Sequence, residues 1–176
     1  ATVSLPVLRK VLAGLRRAAP HARIVVMEGT TSELNAMQTF EKLGVTEMMH
    51  DLDEMVLADA EDLLMGEYPN TSPEPVKYEQ MIAPQYIGEF DCVISVSAFK
   101  RTMPNDEPLI SASLKNLYGV FPREHYHSRS EKARGQLHRP GVPQVLRDVY
   151  FSVGHLFDGG VVDLTQKYIS PDWRPD

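Results

Sequence analysis

Lys100, Lys115 and Asn116 are the residues of this chain with the most chemistry to offer. Two ammonium groups brought together with a carboxamide make a receptor for negative oxygen, whether of a carboxylate, a phosphate or an enolate. Crowding two like charges also lowers the pKa of one lysine, which turns it into a base or a nucleophile. In open parallel sheets ligands bind beyond the carboxyl ends of the strands, where loops converge. Lys100 lies four residues past the apolar run Cys92-Val93-Ile94-Ser95-Val96, hence on such a rim. Lys115-Asn116 falls in the helical segment expected over Ile110 to Val120, and a loop–helix hairpin of that length can fold Lys115 back toward Lys100. The plain competing account is two exposed lysines that keep a helix soluble.

His125, His127 and His138 are half of the six histidines and fall within fourteen residues. Histidines two apart share a side only in an extended segment, and a third at His138 would then complete a metal site. Arg123, Arg129, Lys132, Arg134 and Arg139 surround them and would repel a divalent cation, so no metal site is expected. Proton transfer suits His138 better, since an unperturbed histidine titrates near neutrality. Glu28-Gly29 follows the apolar run Ile24 to Met27. Glu28 can orient a lysine or act as a base at the rim, or simply face the dipole of the helix that follows. The GxGxxG spacing of a dinucleotide site is absent, and no cofactor is identified. Asp91, Asp163 and Asp158-Gly159 read as caps and turns. Cys92 opens an apolar strand and is expected to be buried and inert.

These groups need a scaffold. Leu8, Val11, Leu12 and Leu15 recur at helical spacing after Ser4, the expected cap, and Pro6, which suits a first turn. Ile24 to Met27 reads as a strand buried on both faces. A helix follows through Leu34, Met37, Phe40 and Leu43, with Thr30 and Glu33 as a capping box or Ser32 as the rival cap, and with Gly44 ending it. Val45 to Met49 suggests a helical turn and Met55 to Leu57 a brief strand. Gly66 to Pro75 reads as a loop, Val76 to Ile82 as an edge strand, Ser97 to Pro108 as a polar loop and residues 121 to 141 as a polar connection. Val142 to Val153 suggests a helix and Val161 to Leu164 a last strand. Strands alternating with helices predict an α/β fold: a three-layer, mostly parallel sheet flanked by helices, in a single domain over residues 1–176.

Composition narrows the function. The chain is 43% hydrophobic and 24% charged, which excludes collagen-like, disordered and coiled-coil classes. Its net charge of −6 argues against nucleic acid as a partner. One cysteine excludes an internal disulfide, a CxxC pair and a cysteine-ligated cluster within the chain. No apolar run approaches a membrane span, so a cytoplasmic protein is expected. Charge is segregated: residues 28–91 carry fifteen acids and two lysines, whereas residues 100–147 carry nine Lys or Arg against four acids. Solvated faces of opposite sign account for this, or the basic half receives an anion.

The stretch Phe90 to Val96, Lys100, then Ser111-Ala112-Ser113-Leu114-Lys115-Asn116-Leu117-Tyr118-Gly119 resembles the family known as domain of unknown function 362. That family shows an Asp-x-Val-Ile-Asn-Val-Pro-Lys-x-Lys-x-His block followed by Thr-Gly-x-x-Lys-Asn-x-x-Gly. Lys115-Asn116-Leu117-Tyr118-Gly119 is the most specific part. Met27-Glu28-Gly29 is similar to the family's Gly-Glu-Gly turn, and His138 to a histidine downstream of the Lys-Asn block. At the Pro-Lys-x-Lys-x-His positions this chain has Ser97, Ala98, Phe99, Lys100, Arg101 and Thr102, and Ser111 stands where Thr is usual. The resemblance implies a domain whose first strand, carrying a Lys-Pro-Asn motif, is absent here or supplied by a partner chain. It also implies redox neighbourhoods, because relatives carry a ferredoxin-like module. The expected function is an enzyme-like domain binding a small anionic metabolite. Lys100 and Lys115 hold or polarise the oxyanion, Glu28 or His138 moves a proton, and Asn116, Ser111, Gly29 and Arg101 contact the ligand. The alternative is a non-catalytic interaction subunit that kept the fold after losing the family's proline, lysine and histidine.

Overall fold

A computed structural model describes residues 2–29, 34–52, 55–74, 76–102, 109–128, 133–169 and 174–175. Helix α1 (Leu5–Ala18) places Pro6 in its first turn and buries Leu12. Ser4 precedes it, but its side chain makes no cap; its N–H donates instead to Asp163 Oδ2 at 2.8 Å, tying the helix start to a distant strand. Strand β1 (Ile24–Glu28) pairs in parallel with β2 (Met55–Asp59), Glu28 opposite Asp59.

Helices α2 (Ala36–Lys42) and α3 (Val45–His50) connect the two strands. Gly44, at φ 74°, makes the left-handed junction between them that its position predicts. The cap of α2 is Asn35, in a reciprocal capping box with Gln38, so the helix starts later than Ser32 or Thr30 would have it. Residues 30–33 themselves lie outside the described residues. Leu12, Ala36, Phe40, Val45, Met48 and Met49 form one core beneath this part of the sheet.

Gly66 to Pro75 does not begin as a loop. Residues Met65–Pro69 are strand β3, antiparallel to β4 (Gln80–Pro84). Pro69 and Pro84 sit at the ends of the pair, where a missing N–H costs little, so prolines misdirect the sequence reading here. Gly66 faces Gln85 so closely that an added Cβ would lie 3.3 Å from its Cα.

The strand expected over Cys92 to Val96 starts later and runs much further, as β5 (Ile94–Thr102). The polar residues Ser97, Lys100 and Arg101 belong to this strand and not to a loop. β6 (Leu109–Ser111) pairs with it antiparallel where a helix start was expected. Helical structure begins at α4 (Ser113–Asn116) and tightens into a 3₁₀ turn, Leu117–Val120. β7 (Gly159–Ile169) pairs with β5 in parallel, and β8 (Arg174–Pro175) follows antiparallel, giving the order β6-β5-β7-β8. Cys92 falls outside the strand and is exposed, not buried. The expected polar connection over 121–141 contains α5 (Arg123–Tyr126) and a 3₁₀ turn, Gly135–His138, before α6 (Val142–Ser152).

The chain is α/β. Among the described residues its strands fall into three small sheets, two of which contain a parallel pair. A second core, including Met81, Ile87, Leu117, Tyr118, Phe121 and Leu137, joins β4 to α6. No helix among the described residues is long and apolar enough to cross a membrane.

Candidate functional site

Four elements converge at the carboxyl end of β1. Glu28 is its last residue, Lys100 lies late in β5, Lys115 is in α4, and His138 closes the 3₁₀ turn Gly135–His138. Lys115 Nζ stands 3.3 Å from His138 Nε2 and 4.4 Å from the centre of the Tyr118 ring. Tyr118 meets His138 edge to face at 5.4 Å, and its hydroxyl donates to the Leu137 carbonyl at 2.7 Å. One aromatic ring therefore walls both the ammonium and the imidazole.

The protonation of His138 follows from its neighbours. Nδ1 lies 3.3 Å from the Arg134 carbonyl, which can only accept, so Nδ1 carries the hydrogen of the neutral ring. Nε2 then presents its lone pair to Lys115. His138 keeps an exposed surface; desolvation by its neighbours, and next the Lys115 charge, hold the imidazole below its usual pKa, only partly offset by that carbonyl. Lys115 is brought down to about 8 by burial and by the charge of Lys100. Burial lowers Lys100 as well, with Glu28 pulling the other way. Glu28 keeps an exposed surface at the end of β1, yet the desolvation imposed by the residues around it raises its pKa against the opposing effects of the Gly29 N–H, Arg134 and Lys100. Each of the four groups is pushed toward its neutral form, which is the condition for moving protons near neutrality.

Asn116 has a positioning task. Its Nδ2 donates to the Val96 carbonyl at 3.2 Å and reaches Ser95 Oγ at 3.4 Å, while Ser95 Oγ donates to the Ser113 carbonyl at 3.1 Å. These bonds lock α4 onto β5 and so set Lys115. Ser111 is buried opposite Lys100 in the β5–β6 register, on the same face of the sheet. Arg101 is exposed and, as the next residue along β5, faces the other side, away from Lys100.

Gly29 is where two backbones touch. A Cβ there would lie 2.0 Å from the Gly119 carbonyl oxygen, and a Cβ at Gly119 would lie 3.0 Å from Glu28 Oε1. Its N–H donates to Glu28 Oε1 at 2.9 Å. The sequence reading missed Arg134, treating it only as a repelling cation. Arg134 is buried and donates to the carbonyls of Gly29 at 3.2 Å, Gly119 at 3.1 Å and Phe121, and to Glu61 Oε1 at 2.8 Å. Glu61 also takes the N–H and Nε of Arg123, each at 3.1 Å. This ion-pair network braces the floor of the cluster.

His125 and His127 bracket the end of helix α5, so the extended geometry a metal site requires is missing, and Tyr126 between them is buried. Among the described residues no group of three His, Cys, Asp or Glu is placed to hold a metal. Two apolar clefts, of about 300 and 350 Å³, lie at the opposite end of the β1–β2 pair, around Met55 and Val56, and share no residue with the cluster.

No curated protein and no solved structure matches this chain. The family model described as Domain of unknown function (DUF362) matches residues 1–172, nearly its whole length, and the chain belongs to that family.

Proposed function

We propose that the Glu28–Lys100–Lys115–His138 cluster binds a small anionic metabolite, carboxylate or phosphate, and acts on it as an enzyme does. The carrying observation is the 3.3 Å contact of Lys115 Nζ with His138 Nε2, with Lys100 alongside. Two lysine cations crowded in a half-buried position repel each other, and a bound anion relieves that repulsion. In this reading Lys100 grips the oxyanion, Lys115 reaches the reacting end, and His138 and Glu28 pass protons. Asn116 and Ser111 support the lysines from the adjoining strands. The finer fold that goes with this reading is a three-layer, mostly parallel arrangement. It is supported by the way the two parallel pairs, β1–β2 and β5–β7, both carry residues to the cluster. The proposed location is the cytoplasm.

Isothermal calorimetry with inorganic phosphate and with glyoxylate tests the reading. Wild type is expected to bind at least one of them, and Lys115→Met is expected to weaken that binding by about tenfold, the value of one lost charge-assisted contact. No heat with either anion, or equal affinity in the variant, would end it.

A further inference from the structure

We propose that Lys115 is an imine-forming amine, and that the metabolite is an anionic carbonyl compound whose aldehyde or ketone carbon meets Lys115 Nζ while its acidic group meets Lys100. The inference rests on the anion-binding reading above and names its substrate class.

A lysine head group usually sweeps through solvent on a flexible stem. That of Lys115 is held from two sides, by the Tyr118 ring at 4.4 Å and by His138 Nε2 at 3.3 Å. Its backbone is fixed by the neighbouring Asn116, bonded to Val96 and Ser95. A located amine with a proton acceptor in contact is the arrangement that nucleophilic lysine chemistry requires. The Arg134 carbonyl, 3.3 Å from Nδ1, favours the tautomer with its hydrogen on Nδ1, which leaves the Nε2 lone pair toward Lys115. Lys100 meanwhile supplies a second cation beside the first, which fits a substrate carrying both an electrophilic carbon and a negative group.

The step balances without a redox partner. His138 Nε2 takes one proton from the Lys115 ammonium, and the freed nitrogen pair attacks the carbonyl carbon. The carbon–oxygen π pair moves to oxygen, which takes the proton back from His138. His138 then relays the second nitrogen proton to the carbinolamine hydroxyl, which leaves as water while the nitrogen pair forms the double bond to carbon, so that ammonium plus carbonyl give iminium plus water. The cationic iminium lies against the face of Tyr118, whose ring stabilises positive charge. The Tyr118 hydroxyl is committed to the Leu137 carbonyl and takes no part in proton transfer.

The test is reductive trapping of the intact protein with glyoxylate and sodium cyanoborohydride near pH 7.5, followed by peptide mass mapping. The reduced adduct is expected on Lys115 at least about tenfold ahead of the exposed Lys10 and Lys42, because its amine is held in place beside a proton acceptor. In Lys100→Met the glyoxylate adduct on Lys115 is expected to fall about tenfold, whereas labelling by formaldehyde, which has no negative group, stays near the wild-type level. Even labelling of Lys10, Lys42 and Lys115 overturns the proposal. If phosphate still binds calorimetrically in that case, the imine fails and the anion site stands; if it does not, both fail. Equal loss of glyoxylate and formaldehyde labelling in Lys100→Met would remove Lys100 as the anchor and overturn the substrate class. The comparison among lysines needs only the wild-type protein, so it does not depend on a variant folding.

Discussion

Gly29 and Gly119 meet backbone against backbone, with room for only 2.0 Å between a Cβ on the first and the carbonyl oxygen of the second. The two segments they belong to carry Glu28 and Lys115, residues far apart in the chain. Arg134 bonds both glycine carbonyls, so one guanidinium spans the junction. The junction seats the Glu28 carboxylate against Gly119, in the turn that follows α4, and a Cβ on Gly29 has no room at it.

Gly29→Ala is therefore expected to destabilise the protein by about 2–3 kcal/mol, the upper part of the range for overpacking a buried site, because the obstacle is backbone and not a flexible side-chain tip. Urea denaturation followed by circular dichroism measures it. A change under about 0.5 kcal/mol would mean that the two segments do not approach this closely.

Arg134 concentrates more structure than its sequence context suggests. Arg134→Met leaves three carbonyls short of a donor and the Glu61 carboxylate with less compensation, since only Arg123 among the partners described for it remains. Breaking a buried pair in this way costs about 3–5 kcal/mol. Arg134→Lys keeps the charge but loses the planar fork, and is expected to recover less than half of that loss. Full recovery by lysine would show that charge alone matters.

The cluster and its brace differ in how far they can be read from sequence. Glu28 and Lys100 announce themselves by following apolar runs, and Lys115 and His138 by their residue types nearby. Position relative to a strand end is local information. The Arg134–Glu61 pair spans 73 residues, and Glu61 sits in an acidic stretch where no carboxylate stands out. The same division holds for the fold. Gly44 acts through neighbours in the chain and behaves as its type requires, and Ile24 to Met27 forms its strand, although its residues are half-buried in a two-stranded sheet and not buried on both faces. β5 hides because Ser97, Lys100 and Arg101 are polar, Lys100 on the face of the candidate site and Arg101 exposed on the opposite face. β3 hides because a glycine and a proline occupy it, each tolerated only through its partner strand. Cys92 lies outside the core because the strand begins two residues into the apolar run, at Ile94.

Asp163 couples the start of α1 to β7 and makes acid stability legible. Burial alone would raise its pKa, but the Thr165 hydroxyl, the Ser4 N–H and the Thr165 N–H outweigh it and bring the carboxyl down to about 2. A depressed carboxylate contributes stability that is complete above its unfolded pKa, near 4, and is lost as pH falls through about 2. Asp163→Asn is expected to cost about 1–2 kcal/mol at pH 7, the value of a charge-assisted hydrogen bond set. The gap between variant and wild type should narrow between pH 4 and pH 2. A gap of constant size across that range would show that the carboxylate's charge is irrelevant to the tether.

Lys115 gives the opposite sign. Its pKa is about 8 in the folded chain, below the ordinary 10.5, because burial and then Lys100 disfavour its charge. His138 is neutral and accepts from it, the Tyr118 face attracts it, and Glu28 acts beyond Lys100, so the like charge of Lys100 is the main electrostatic opponent. Between pH 8 and 10.5 the unfolded chain binds the proton that the folded chain has released, so stability rises with pH across that window. Below pH 8 the protein carries the penalty of a half-buried ammonium. Lys115→Met removes it, and is expected to stabilise the protein by about 1–2 kcal/mol at pH 7 once partial solvent screening is allowed for. In the same variant the proposed anion binding is expected to weaken about tenfold, the usual exchange where a site is built from strained charge. Urea melts of wild type and variant at pH 7 and pH 10 check both halves. The advantage of the variant should shrink at the higher pH as the wild-type lysine becomes neutral. A variant less stable than wild type at pH 7 would mean that Lys115 is held by favourable contacts and is not poised to give up its proton.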